Sequence, residues 1–209
     1  MYDARSLIEL VKETTSSANL LIWVPSLRKE VNFKPITISQ QRNLLQTVLV
    51  DPTLEASNAA ILTLLKENSN IEDIDKLTCI DRDCIVLTYR RHINNVIEYD
   101  EGKSVQVSDI VDRYREFNHT SKVIEVGNNF SLTLSIPTIK SEIDIVPVTR
   151  AISDLEQKNT KVEFIVDAIE VEFLRCVQSL TIEGVTYLAS SMDTIHLKEI
   201  VDSLPSSLS

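Results

Sequence analysis

The chain has 209 residues, 43% of them apolar and 25% charged, with a formal net charge of −10. This is an ordinary globular composition, which argues against general disorder, and its acidic field opposes binding to nucleic acid phosphates or anionic lipid. Three cysteines, Cys79, Cys84 and Cys176, form no CxxC spacing, and the three glycines are far apart, so neither a disulfide framework, a zinc knuckle nor a Gly-rich phosphate cradle is expected.

The odd cysteine count points to a reducing compartment. No apolar run approaches the roughly 18 residues of a membrane span. The start, MYDARSLIELVKE, mixes acids with apolar residues where a signal peptide would place a basic and then an apolar stretch. Neither a membrane span nor secretion through a signal peptide is expected.

In chain order, Asp3 can cap a first helix whose narrow stripe, Leu7, Ile8 and Val11, needs a partner surface. A second subunit is one such surface, which makes a homo-oligomer one reading. Thr14 to Asn19 is a polar linker. Leu20 to Val24 and the alternating run Glu30 to Lys34 then predict a hairpin, with Val31 and Phe33 on one face and Glu30, Asn32 and Lys34 on the other.

Ser39 is the expected cap of a helix carrying Leu44, Leu45, Val48 and Leu49 at helical spacing. Asp51-Pro52 interrupts it, because proline has no amide donor and biases its predecessor away from helix. A second helix should span Thr53 to Glu67 with the stripe Leu54, Ile61, Leu64 and Leu65. A third, capped by Thr78 or Asp81, should reach Arg91. Its apolar run Cys84 to Leu87 predicts burial on more than one side.

From Asn94 the period becomes two. Val96 to Tyr99, Ser104 to Val107, Lys122 to Val126 and Phe130 to Ile136 read as strands, with a short helix at Ser108 to Phe117. Phe130, Leu132, Leu134 and Ile136 alternate with Ser131, Thr133 and Ser135, giving one buried and one wet face. Beyond Pro137 a helical region is expected, kinked at Pro147, followed by a long helix at Val162 to Leu180 with Ile165, Ile169, Phe173 and Cys176 on its stripe. Its acidic ridge Glu163, Asp167 and Glu170 is mildly self-repelling, which suits solubility or a basic docking partner. Val185 to Leu188 is extended, and a closing helix with Ile195, Ile200 and Val201 stops at Leu204-Pro205.

The fold class is therefore α+β: an N-terminal hairpin plus helices, an extended β insert and a helical C-terminal part. The expected division is an N-terminal helix and linker at 1–19, an α+β domain with the β insert at 20–136, and a helical region at 137–209.

Several stretches in this order resemble the small baseplate hub subunits and hub-assembly proteins of T-even-type contractile-tailed bacteriophages. They are Val24-Pro25-Ser26, Val31-Asn32-Phe33-Lys34-Pro35-Ile36-Thr37, the helix at Gln40 to Leu49 and the helix from Leu77-Thr78 to Arg90-Arg91. Leu134-Ser135-Ile136-Pro137-Thr138, the long helix ending near Ser179, and Ile200-Val201-Asp202-Ser203-Leu204-Pro205 complete them. The resemblance implies a virion or virion-assembly role built on protein contacts, with other baseplate hub and tail proteins as partners and no catalytic residues. Its location would be the tail baseplate, after assembly in the host cytoplasm. Some such relatives carry paired cysteines in the insert; Val96 to Ile136 here has none.

Alternatives from the residues are weaker. Cys79 and Cys84 sit five apart, so a helix turns their thiols to different faces, and burial as small apolar side chains is the simpler role. His92, His119 and His196 are scattered, and no Ser/His/Asp or Cys/His set forms. His92, after Arg90-Arg91, suits the carbonyl end of the third helix, where positive charge is favoured. The acids Glu72, Asp73 and Asp75, with Asp81 and Asp83, could attract a hard cation, but they lack a Gly-centred loop, so solvated capping roles are expected.

The sequence thus predicts a non-enzymatic structural or assembly protein with no cofactor. A transient assembly chaperone is the alternative, and a small metal-dependent enzyme is the distant one. The expected interface residues are Trp23 and Phe33, as aromatic anchors, and Arg90 and Arg91, as a basic pair facing an acidic partner.

Overall fold

A computed structural model describes residues 19–100, 102–118, 121–144 and 172–204. The expected N-terminal helix with Leu7, Ile8 and Val11, the Pro147 kink and residues 162–171 of the expected long helix lie outside them. The fold is α+β. Two compact units divide between Asn118 and His119. The expected boundary at residue 136 falls inside the second unit, because Phe130–Leu134 pairs with Val177–Ile182 further along the chain.

In the first unit, β1 (Leu20–Val24) and β2 (Lys29–Phe33) form the expected hairpin, with Leu20 opposite Phe33 and Trp23 opposite Glu30. Period-two alternation turns Ile22, Val24 and Phe33 inward, all fully buried. α1 (Ile38–Val50) is capped two residues earlier than Ser39: Thr37 Oγ accepts from the Gln40 amide at 3.2 Å, while Gln40 Oε1 accepts from the Thr37 amide at 2.9 Å. This reciprocal box satisfies two amides that the first turn would otherwise leave without partners.

Asp51-Pro52 ends α1 as predicted, and Thr53 caps α2 (Leu54–Asn68). The end of α2 is tied to the hairpin, where the Lys34 amide donates to Asn68 O at 2.8 Å. A 3-10 turn (Ile74–Lys76) leads to α3 (Cys79–Ile93), then β3 (Val96–Asp100), β4 (Lys103–Gln106) and α4 (Val107–Glu116). Ile22, Val24, Phe33, Leu65, Leu77, Cys84 and Ile85 are among the buried apolar residues of this unit. Burying each large aliphatic contributes about 1.5–3 kcal/mol. The Cys84–Leu87 run is not buried all round, since Val86 is 45% exposed.

The second unit holds a four-stranded antiparallel sheet in the order β5-β6-β7-β8, made of β5 (Lys122–Val126), β6 (Phe130–Leu134), β7 (Val177–Ile182) and β8 (Val185–Leu188). α5 (Ile139–Asp144) follows β6, and α6 (Thr194–Asp202) closes the described chain. Register aligns Ile124, Leu132 and Leu180 in one cross-strand row, and the row is capped by Leu174, Leu197, Ile200, Val201 and Leu204. On the other face Ser131 and Thr133 are half-buried and Ser179 is buried, so that face is less wet than alternation alone predicts.

The largest departure from expectation is Val177–Ile182, which is a strand rather than the end of a long helix. Glu172 to Leu174 are helical, and a turn at Arg175-Cys176, closed by Cys176 N to Phe173 O at 2.9 Å, starts β7. Phe173, Cys176 and Leu180 fit a helical stripe, but Leu180 in a strand reaches Leu132 and Tyr187 on both sides. Two ladders of long-range pairing outweigh a local period that either element could use.

Candidate interaction surfaces

The first unit is organised by Asp81, whose carboxylate is fully buried. Its Oδ1 accepts from the Ser26 amide at 2.8 Å, and its Oδ2 accepts from the Thr78 amide at 2.7 Å and the Thr78 hydroxyl at 2.8 Å. One side chain therefore caps α3 and fastens the hairpin loop 55 residues away to it. The stretches Val24-Pro25-Ser26 and Leu77-Thr78, far apart in sequence, meet here. Asp81 was expected to be a solvated cap; it is a cap, but a desolvated one, and the Thr78-x-x-Asp81 spacing is the signal that announced it.

α1 packs on α2, and none of its residues is fully buried. Leu44 and Val48 are half-buried, while Ile38, Leu45 and Leu49 are 77%, 62% and 80% exposed. At 100° per residue Ile38, Leu45 and Leu49 fall within one narrow sector, continuous with Leu44 and Val48. The helix is thus apolar over a wider arc than its own unit covers. Arg42 is its one charged residue. Sequence periodicity identified the amphipathic helix without telling which part of its stripe stays uncovered.

Of the four residues expected at an interface, two lie on opposite faces of the hairpin. Phe33 packs edge-on against Tyr89, ring centroids 6.2 Å apart, and has no exposed surface. It is therefore a core residue in this fold, because the β1–β2 register turns its face towards α3. Trp23 is half-buried against the cluster of Cys84, Val107 and Val111. Arg115 lies 5.9 Å from the Trp23 ring centroid and bonds to Glu30 at 3.0 Å, so a cation covers the ring and an acid holds the cation. Arg115 had no sequence signal, since only the pairing of Trp23 with Glu30 and the docking of α4 bring the three together.

Arg90 and Arg91 are partly exposed in the last turn of α3, beside exposed His92. Positive charge there meets the carbonyl end of the helix, as predicted. Arg90 Nη2 donates to Val96 O at 3.4 Å.

The three cysteines are free thiols. Cys79 and Cys84 are buried, and the Cys84 thiol donates to Trp23 O at 3.3 Å. Burial pushes the Cys84 thiol up to about 11 and the Tyr89 phenol up to about 12, and it raises the Cys176 thiol as well. A thiol held neutral is a poor nucleophile and a poor metal ligand. Asp73 pairs with Lys76 and Asp75 with Lys66, so these acids meet lysines at the surface. No group of three His, Cys, Asp or Glu among the described residues is placed to hold a metal ion. No helix among them is long and apolar enough to cross a membrane.

In the second unit exposed apolar side chains lie at the sheet's turn end and on both edge strands, with Val123 the exposed one on β5. Val126, Phe130, Ile182 and Val185 form a second cross-strand row beyond the capped one, and the first three border a shallow depression of about 500 Å³. All four residues of β8 are exposed.

Among the described residues the fold is one of capped helices and small antiparallel sheets, with large apolar side chains left exposed on α1 and on β8. The chain belongs to the T4 bacteriophage base plate protein family, whose model matches residues 18–208 and so runs through both units. It is accordingly a base plate protein of a phage tail. No curated protein and no solved structure matches the chain.

Proposed function

We propose that this base plate protein is a non-enzymatic hub component, assembled in the host cytoplasm and retained in the virion, and that it acts by docking on neighbouring hub and tail proteins. The observation that carries this reading is α1. A helix whose start is held by a reciprocal capping box, and which packs on α2, leaves three large aliphatic side chains in solvent along one stripe. Exposed patches of this kind mark protein contact sites, and a pre-ordered helix loses little entropy on docking. Arg42 beside the stripe, and Arg90 and Arg91 at the end of α3, favour a partner surface that places acidic groups around an apolar groove. The half-exposed edge of Trp23, stiffened by Arg115, suits a rim contact. Phe33 acts from behind, by fixing the hairpin against Tyr89.

Quantitative mass spectrometry of purified particles, counting this chain against a tail protein of known copy number, tests the role. A fixed stoichiometry is expected, and Leu45→Glu with Leu49→Glu should abolish incorporation while leaving the isolated protein folded. Presence only in lysate, bound to hub proteins, would make it a transient assembly chaperone using the same surfaces. Absence from both would remove the hub reading.

A further inference from the structure

Among the described residues the four-stranded sheet ends at β5 and at β8, and these two edges differ. β5 carries Lys122 and Glu125, and charge on an edge is a common bar to strand addition. β8, Val185-Thr186-Tyr187-Leu188, has no charge, no proline and no register irregularity, and every one of its residues is exposed. A two-residue turn, Glu183-Gly184, with φ of 50° and 82°, connects β7 to β8. In such a hairpin the flanking residues, here Ile182 and Val185, exchange both backbone bonds. Alternation then turns the amide and carbonyl of Thr186 outward, away from β7. The carbonyl of Leu188 already accepts from Ser191 Oγ at 2.7 Å, which makes Thr186 the best-placed residue to lead an added strand.

We propose that β8 pairs antiparallel with β8 of a second copy about a two-fold axis at Thr186, joining two four-stranded sheets into one of eight strands. The register is chosen by side-chain chemistry. Centred on Thr186, it sets Val185 opposite Tyr187 of the other copy, twice, and Thr186 opposite Thr186. Aromatic against β-branched and threonine against threonine are favourable cross-strand pairs. The threonine pair also extends the hydroxyl contact Thr181 Oγ1 to Thr186 Oγ1, 3.0 Å within each copy. Centring on Tyr187 instead would oppose Thr186 to Leu188, a hydroxyl against an aliphatic. Because β8 is matched to itself and β5 is charged, the contact closes as a dimer instead of growing into a ribbon. The proposal deepens the docking reading by naming a second copy as one partner, but its failure and that of the hub role are separately visible, since one is read on the isolated protein and the other on particles.

Sedimentation equilibrium of the full chain over a wide concentration range should show the mass rising from the 23.6 kDa monomer towards twice that value. Thr186→Pro removes the outward amide while leaving the β7–β8 bonds intact, as proline is tolerated where the edge amide faces solvent. It should weaken association by about tenfold or more with unchanged circular dichroism. As a second measurement, in a Cys176→Ser background, Thr186→Cys should give a covalent dimer on oxidation, because residues facing each other in a hydrogen-bonded pair lie about 5.5 Å apart at Cα, within disulfide reach. Val123→Cys on β5 should not. A wild-type chain that stays monomeric with no crosslink through Thr186→Cys overturns the proposal, including the case in which another tail protein supplies the added strand. A dimer that survives Thr186→Pro, or that Leu45→Glu abolishes instead, also overturns it.

Discussion

The two units each bury a carboxylate but satisfy it differently. Residues 19–118 rely on a buried charge: Asp81 gathers the Ser26 amide, the Thr78 amide and the Thr78 hydroxyl, and so fixes the hairpin to α3. The described part of residues 119–209 layers a sheet row of Ile124, Leu132 and Leu180 under α6, and its buried carboxylate, Glu142, is met by the Arg175 guanidinium at 3.0 Å instead of by backbone amides of a distant loop. A polar clamp specifies one geometry, because a buried carboxylate with its donors removed costs several kcal/mol. An apolar sandwich is more tolerant, since burial is non-directional. The difference teaches where each unit can afford exposed surface: the clamped unit offers a whole helix face, and the layered unit offers a strand edge.

Breaking the clamp should have the largest effect. Asp81→Ala leaves three donors without their acceptor and should destabilise the protein by about 3–5 kcal/mol, whereas Asp81→Asn, which retains one carbonyl acceptor, should cost about half as much. Urea unfolding followed by circular dichroism measures both; a loss of under about 1 kcal/mol for Asp81→Ala would remove the clamp from the account. The layered unit is probed by Leu180→Ala, with an expected cost of about 2–5 kcal/mol set by how far Leu132 and Tyr187 relax into the space.

A smaller effect comes from the Cys84 thiol. Its folded pKa of about 11 exceeds the ordinary value of 9.0 because burial disfavours the thiolate. Between those values the unfolded chain loses the proton while the folded chain keeps it, so the stabilisation is complete below pH 9 and is lost as pH rises to about 11. The fall should be on the order of 2 kcal/mol, with Tyr89 adding to it at higher pH for the same reason. Cys84→Ala should flatten the thiol's share of the slope in unfolding midpoints measured across this range. The smallest stability effect belongs to the displayed surface: Leu45→Glu or Leu49→Glu on α1 should change stability by under about 0.5 kcal/mol, since those side chains bury little. A large loss would mean that the stripe belongs to the core.

Local chemistry was legible where local rules suffice. The hairpin, α2, the limits of α3, β5, β8 and the Asp51-Pro52 break followed from alternation, caps and proline. Thr37-x-x-Gln40 shows that a residue-type rule for caps is weaker than the reciprocal spacing, which moved the start of α1 to Ile38. Val177–Ile182 shows the limit of periodicity: Phe173, Cys176 and Leu180 fit a helix, and the strand wins because β6 and β8 wait on either side of it. At the candidate surfaces, Trp23 was readable as a boundary aromatic, while Arg115 reached it only through folding. Phe33 was read as an anchor and became core, because one hairpin face meets α3.

The sequence by itself determined the α+β class and most of the local elements, since caps, turns and alternation act within a few residues of themselves. Tertiary structure alone decided that Asp81 would be buried, that Phe33 would face inward while Ile38, Leu45 and Leu49 would not, and that β8 would stand at an open edge. Those outcomes depend on which distant segment arrives to cover a side chain, and a repeating apolar pattern states that a surface needs covering without stating by what.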